Sequence, residues 1–163
     1  MNPARTKFVV AVLAVILVFI QIVQPKQTNP AAVASRGISA HVQVSQKTMA
    51  SLRKACGDCH SNQTVWPWYS HVAPISWIVV DDVNQGRRHM NFDDWEAQES
   101  PKQASDHIVD ICKEIQQKAM PPFSYRMMHQ QSSLNSEEIT NICAWSNSVS
   151  ASNSSGPGQH SEL

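Results

Sequence analysis

Five consecutive residues, CGDCH at positions 56 to 60, carry side chains whose types and spacing could do chemistry. Cys56 and Cys59 stand three positions apart, and His60 follows directly. Two thiols and an imidazole in this arrangement are found in metal centres, in thiol–disulfide redox pairs and at covalent attachment points for haem. The rest of the sequence has to discriminate among these three kinds of site.

A redox pair of the thioredoxin type lies at a strand-to-helix junction, and no convincing strand alternation occurs in this chain. A structural zinc site needs a second pair of ligands, whereas Cys112 and Cys143 each stand alone. Haem attachment uses all three side chains, because each thiol adds to one vinyl group and the imidazole binds the iron. We therefore predict one covalent c-type haem, with thioethers from Cys56 and Cys59 and His60 as the proximal iron ligand.

The distal side of the iron needs a ligand from elsewhere in the chain. Met120 follows a predicted helix and precedes Pro121 and Pro122, which restrict the loop and would present the thioether at a fixed depth. We predict Met120 as the distal ligand, although a methionine near a helix more often fills a core. The alternatives are an open iron or another side chain: Met90, Met127, Met128, His71, His89 or His129. A loop hydrogen bond is the simpler role for His71 and His129, and a solvated surface position for His107.

Aromatic and basic residues near the motif are candidates for a haem pocket. Trp66, Trp68 and Tyr69 lie in WPWYSHVAPISW and offer large apolar area with polar edges, so pocket packing and propionate contact are equal alternatives. Arg87 follows Gly86, where its guanidinium would either pair with a propionate or stay solvated.

The N-terminal residues predict that the motif is exported. Residues 8–23 are apolar apart from Gln21 and follow Arg5 and Lys7, which is typical of a segment with its N-terminus in the cytoplasm. Sixteen residues reach only roughly 24 Å, but the first small-x-small cleavage site lies at residues 32–34, late for a signal sequence. We predict an uncleaved membrane anchor over 1–24 rather than a signal sequence, in the bacterial inner membrane with the remainder in the periplasm.

The remaining chain divides into three parts. Residues 25–44 lack periodicity and predict a tether, 45–149 predict the folded domain, and 150–163 are rich in Ser and Gly and predict a disordered tail. The chain has 163 residues and a formal net charge of zero, without a basic block, so nucleic acid is not an expected partner.

The fold class is predicted as all-α. Four helices are expected from apolar faces at helical spacing, carried by Val44, Met49 and Leu52; by Ile75, Ile78, Val79 and Val83; by Ile108, Ile111, Cys112 and Ile115; and by Ile142, Cys143 and Val149. The first should end at Cys56, Gly86 should end the second, and Asn135 with Glu138 should cap the last. Cys112 and Cys143 either form a disulfide or remain small core residues.

Long stretches of the sequence resemble a known family. The run CGDCHSNQTVWPWYSHVAPISWIVVDDVNQGRRHMNFDDW, followed by KAMPPFSYRMMH and LNSEEI, is similar to the bacterial haem-binding domain family of membrane-anchored monohaem c-type cytochromes. The similarity covers residues 46–148, and WPWYS with NFxxW is more specific than CxxCH. It implies a class I cytochrome-c-like helical fold in which Cys56, Cys59 and His60 match the attachment motif and Met120 matches the MP element. Cys112 and Cys143 are not part of that pattern.

The expected function is electron transfer by a haem protein that is not an enzyme. Two ligands that saturate the iron favour a carrier, confined by its anchor to redox partner proteins at the membrane. The alternatives are a haem-based sensor or catalytic haem with an open or dissociable sixth ligand, and a haem-bearing module docked in a larger redox complex.

Overall fold

The computed structural model describes residues 2–97 and 101–154, without the side chains of 101–103, 153 and 154. These residues form seven α-helices and no strand, which confirms the all-α class. The helices are α1 Pro3–Ile20, α2 Ile38–His41, α3 Gln46–His60, α4 Ile75–His89, α5 Pro101–Gln116, α6 Phe123–Met128 and α7 Ser136–Ser154. Short 3-10 turns at Ala34–Arg36, Trp68–His71, Trp95–Ala97 and Gln130–Ser132 lie between them.

Side-chain caps fix the starts of the helices that carry the domain. The Ser45 hydroxyl accepts a hydrogen bond from the backbone N–H of Thr48 at 3.0 Å and begins α3. At α7 the predicted capping box is confirmed: Asn135 N–H donates to Glu138 at 2.8 Å, and Glu138 N–H donates back to Asn135 at 2.9 Å. Each cap satisfies backbone donors that have no partner inside the helix.

The main core lies where α3, α5 and α7 meet. Leu52, Ile108 and Ile142 are fully buried there, and Phe92 and Trp95 close the core from the segment after α4. The predicted buried face of α5 is confirmed. Cys112 and Cys143 form a disulfide between α5 and α7, with their Cα atoms 4.8 Å apart.

The buried face of α4 agrees only in part with the predicted one. Val83 is buried as predicted, together with Ser76 and Val80, but Ile75 and Ile78, also expected in the core, are 46% and 61% exposed. Periodicity identified an amphipathic helix correctly but placed its buried face too far round, because isoleucines outside the core also fit the helical spacing.

Gly86 explains why α4 takes this orientation. The sequence predicted that this helix ends at Gly86, but it continues to His89. A Cβ atom at position 86 would lie 2.5 Å from the carbonyl oxygen of Cys59 and 3.0 Å from its carbonyl carbon. Gly86 therefore allows the backbones of α3 and α4 to approach beside the second cysteine of the motif.

The segment before α3, expected to be a tether, contacts the domain. It contains the Ala34–Arg36 turn and α2, whose Ile38 is buried in the core and donates its N–H to the carbonyl of Phe92 at 2.9 Å. At the other end, α7 includes residues 150–154 of the expected tail, and residues 155–163 lie outside the described part.

Candidate functional site

The CGDCH motif forms the last turn of α3. The helix runs past Cys56, where it was expected to end, and includes Cys59 and His60. Both cysteines are free thiols and are partly buried. Burial, together with the charge of its neighbour Cys59, raises the pKa of Cys56 to about 12, and burial, Asp58 and Asp82 raise the pKa of Cys59 to about 11.

These thiols do not fit a redox or zinc site. At neutral pH both stay protonated, whereas a reactive redox cysteine needs a lowered pKa. Within residues 2–97 and 101–154, no three His, Cys, Asp or Glu side chains are grouped so that they could hold a metal ion. The raised thiol pKa values disfavour a redox pair, and the lack of such a group among the described residues disfavours a zinc site.

His60 has the protonation and orientation that an iron ligand needs. Its Nδ1 lies 3.0 Å from the backbone carbonyl oxygen of Met90, so Nδ1 carries the proton and Nε2 retains its lone pair. Burial lowers the pKa of His60, which keeps the imidazole neutral. Met90 thus contributes its carbonyl, while its side chain is buried and packs in the core.

The NFDDW segment, residues 91–95, supports the motif from its C-terminal side. Phe92 is fully buried and donates its N–H to the carbonyl of His60 at 2.8 Å. Asn91 donates from its side-chain amide to Asn62 at 2.8 Å. Asp93 accepts hydrogen bonds from the Asn62 N–H at 3.1 Å and from Arg53 at 2.7 Å. This segment therefore fixes the backbone on which His60 sits.

Asp58, between the two cysteines, is a site residue that the sequence prediction missed. One carboxylate oxygen accepts the N–H of Val65 at 3.0 Å, and the other accepts the hydroxyl of Tyr125 at 2.6 Å. Its carbonyl accepts the Thr64 hydroxyl at 2.6 Å. Asp58 thus ties α6 and the loop after the motif to α3, and a lone carboxylate in CxxCH gave no sequence signal for this contact.

An aromatic cluster continues from Tyr125. The Tyr125 ring stacks on His129 with centroids 4.4 Å apart, and Tyr69 Oη lies 2.6 Å from His129 Nε2. Burial and the nearby Asp58 raise the pKa of both tyrosines. Because His129 Nδ1 also lies 3.3 Å from Gln131, both ring nitrogens have partners, in agreement with a loop hydrogen-bonding role.

Met120 lies in the connection between α5 and α6. Its N–H donates to the carbonyl of Glu114 at 3.2 Å, and Arg126 donates to the carbonyls of Lys118 at 3.2 Å and Pro121 at 2.7 Å. These bonds hold the backbone on both sides of Met120, while its side chain is 41% exposed. Its role as the distal ligand stays a prediction.

The remaining predicted pocket residues have different surroundings. Trp66 is half-buried, and Trp68 is largely exposed and contacts Tyr69 edge to face. Arg87 donates to the carbonyls of Ser61 at 2.8 Å and Thr28 at 2.7 Å. The same guanidinium also donates to Asn29 at 3.0 Å and to Thr64 at 2.7 Å. These four hydrogen bonds together occupy most of its N–H groups, so a bidentate pair with a propionate would have to replace some of them.

His107 is not the solvated surface residue that was expected. Its ring packs edge to face against His89, with centroids 4.8 Å apart, and its Nε2 is buried without a hydrogen-bond partner. Burial, together with His89, lowers its pKa. The His89 ring at the end of α4 contacts this ring, and the helical periodicity of α5 alone does not reveal that contact.

A comparison with protein families identifies the cofactor that this domain binds. Residues 15–148 match the family described as "Haem-binding domain". The chain belongs to this haem-binding family. The match spans the motif, NFDDW and Met120. Comparison with curated proteins and with solved structures gave no match. The free thiols and the neutral His60 of this haem-binding domain fit a haem held at the end of α3.

Proposed function

We propose that this haem-binding domain is a membrane-anchored monohaem c-type cytochrome that transfers electrons on the periplasmic side of the bacterial inner membrane. The observation that carries the proposal is His60, neutral and directed by the Met90 carbonyl, directly after two free thiols in the last turn of α3. Family membership supplies haem, and this arrangement supplies the chemistry of covalent attachment.

Each residue has a defined part in holding the cofactor. Cys56 and Cys59 form the thioethers, His60 is the proximal ligand and Met120 the distal one. When bound, haem supplies a one-electron change at iron, and methionine ligation raises its potential. Trp66, Trp68 and Tyr69 give the pocket apolar area, and Arg87 fixes the loop after the motif through Ser61 and Thr64.

The proposed location is supported by α1. Its 18 residues have a mean hydropathy of 2.1 and none of them is buried, so α1 is long and apolar enough to cross a membrane. With Arg5 and Lys7 on the cytoplasmic side, the domain would lie in the periplasm, where redox partner proteins of the membrane can reach it.

The covalent haem is tested by expressing the full chain in cells with intact haem-attachment machinery. We expect haem to stay with the denatured polypeptide after acid-acetone extraction, and a pyridine haemochrome spectrum of the c type with one haem per chain. A Cys56→Ser, Cys59→Ser variant is the matched control and should lose the covalent haem. Denatured wild-type protein without porphyrin would reject the proposal.

A haem-based sensor or catalytic haem is the second candidate. It differs from the carrier in having a sixth iron position that is open or whose ligand dissociates. Rapid carbon monoxide binding by the ferrous wild-type protein at neutral pH would support the sensor, whereas resistance supports the carrier and agrees with a protein that is not an enzyme.

A further inference from the structure

Hydrogen bonds hold residues 21–29, directly after α1, against the domain. We call this set of contacts the clamp. Gln21 accepts the N–H of Ala73 at 2.9 Å and donates to the carbonyl of the same residue at 3.1 Å. The indole N–H of Trp77 donates to the carbonyl of Val23 at 2.7 Å. The end of the apolar helix therefore lies within hydrogen-bond distance of the start of α4.

The clamp extends through the next six residues. Gln27 donates to the hydroxyl of Ser70 at 3.0 Å, and Asn29 donates to the carbonyl of Thr64 at 2.8 Å. Arg87 bonds Thr28 and Asn29 from α4. Polar side chains thus connect residues 21–29 to the domain along their length, which is unlike a free linker.

An exposed apolar surface surrounds the first contact of this clamp. Five uncharged side chains, between 39% and 76% exposed, form it: Ile22, Val23, Val72, Ile75 and Trp77. We call these five residues the docking surface. Val72 and Ile75 flank the Ala73 peptide that Gln21 binds, so if α1 spans the bilayer, they must lie at its surface.

We propose that the docking surface rests in the interfacial layer of the lipid bilayer, so that the haem domain is held against the membrane in one orientation rather than on a tether. The inference rests on the proposed anchoring by α1, and it deepens the proposed function. Apolar side chains next to a spanning helix gain by contact with lipid, and tryptophan with a polar edge is enriched in that layer. The clamp removes the rotational freedom that would otherwise carry these residues into water.

The test measures the depth of a nitroxide on the holoprotein in phosphatidylcholine vesicles. With haem on Cys56 and Cys59 and the Cys112–Cys143 disulfide formed, Val72→Cys offers one labelling site. Thr140→Cys, exposed on α7, is the matched control. We expect the label at 72 to collide several-fold less often with a water-soluble nickel chelate than the label at 140, and more often with oxygen.

Equal accessibility of the two labels would overturn the inference. Protection of position 72 in native membranes but not in lipid vesicles would assign the surface to a protein partner and would overturn it as well. Release of the protein from membranes by alkaline carbonate would show that α1 does not anchor it. The inference depends on that anchoring and would then be rejected. If the full chain carries no haem, the proposed function is rejected, and the label at 72 is then measured in a Cys56→Ser, Cys59→Ser background, where protection would leave lipid docking supported.

Discussion

At the scale of single residues, the site depends on groups that hold the proposed haem-binding residues in position. The Met90 carbonyl sets the tautomer of His60, and Asp58 binds Tyr125 and Val65 from within the motif. The first contact orients the ring of the proposed proximal ligand, and the second holds the backbone turn that carries it. Substitutions at this scale should therefore separate ligation from positioning.

Met120→Ala should open the distal side of the iron. If Met120 is the ligand, its loss converts a low-spin, carbon-monoxide-resistant haem into one that binds the gas, and lowers the reduction potential because a thioether ligand raises it. Optical spectra with and without carbon monoxide and a redox titration measure both effects. Met127→Ala removes another methionine from the same stretch of sequence and serves as the control. An unchanged spectrum of the Met120→Ala variant would reject the assignment.

Tyr125→Phe should destabilise the loop after the motif. The substitution removes a 2.6 Å hydrogen bond to the Asp58 carboxylate, and a bond to a charged partner contributes about 1.5–3 kcal/mol. Urea unfolding of the holoprotein measures the loss. Thr140→Val removes a hydroxyl bonded within α7 at an exposed position and is expected to cost much less. Equal effects of the two variants would show that the Asp58 contact contributes nothing special.

At the scale of helices, one close approach sets the arrangement of the site. The sequence predicts the all-α class, the start of α7 and the buried face of α5, because caps and apolar spacing are local properties. It wrongly assigns Ile75 and Ile78 to the buried side of α4, although Val83 is buried as predicted, because the rotation of that helix depends on the contact between Gly86 and Cys59, which are far apart in sequence. Short α6 was not predicted either, since six residues give too few turns for a periodic pattern.

Gly86→Ala should push α4 away from the motif. The new Cβ would lie 2.5 Å from the Cys59 carbonyl oxygen, and overpacking of this kind costs about 1–3 kcal/mol. Gly57→Ala is the matched control in the same site, because its Cβ would meet only the Arg53 Cβ at 3.7 Å and alanine favours a helix. We expect thermal unfolding to show lower stability for the first variant and equal or higher stability for the second. The reverse order would contradict the proposed contact.

The disulfide is a property of the α5–α7 pair that the sequence left open. Each cysteine lies on an apolar face, which fits a bridge or two core residues equally, and only the relative placement of the helices decides. The bridge closes a separation of 31 residues. A double Cys112→Ala, Cys143→Ala variant should lose about 2–4 kcal/mol of the free energy of unfolding. Wild-type protein unfolded with reductant is the control and should match the variant, whereas wild-type stability in the variant would exclude a stabilising bridge.

At the scale of the whole molecule, the N-terminal segment and the domain form one body. Ile38 is buried in the core, residues 21–29 are hydrogen-bonded to α4 and to the segment before it, and the family match begins inside α1. The sequence could not show this, because single polar side chains such as Gln21 and Asn29 make the contacts and carry no periodicity.

The acid stability of the whole domain should depend on Asp93. Burial alone would raise its pKa, but hydrogen bonds from Arg53, Gln63 and the Asn62 backbone outweigh burial and lower it. A lowered folded-state pKa means that the contribution is complete above the ordinary carboxyl pKa and is lost as pH falls through the folded value. Asp93→Asn should be less stable at neutral pH and lose less stability on acidification, as thermal unfolding from neutral to acid pH would show. Parallel pH profiles would refute this role.

Under the proposed function, the two kinds of cysteine in this chain would have to mature in order. If haem is attached in the periplasm, Cys112 and Cys143 have to be oxidised to each other in the compartment where Cys56 and Cys59 must stay reduced until the thioethers form. In an oxidising compartment, an unfolded chain would offer all four thiols for disulfide formation. Burial at the end of α3 suppresses thiolate formation, so Cys56 and Cys59 would be protected from oxidation once the helices have packed. Early folding would therefore prevent incorrect disulfides.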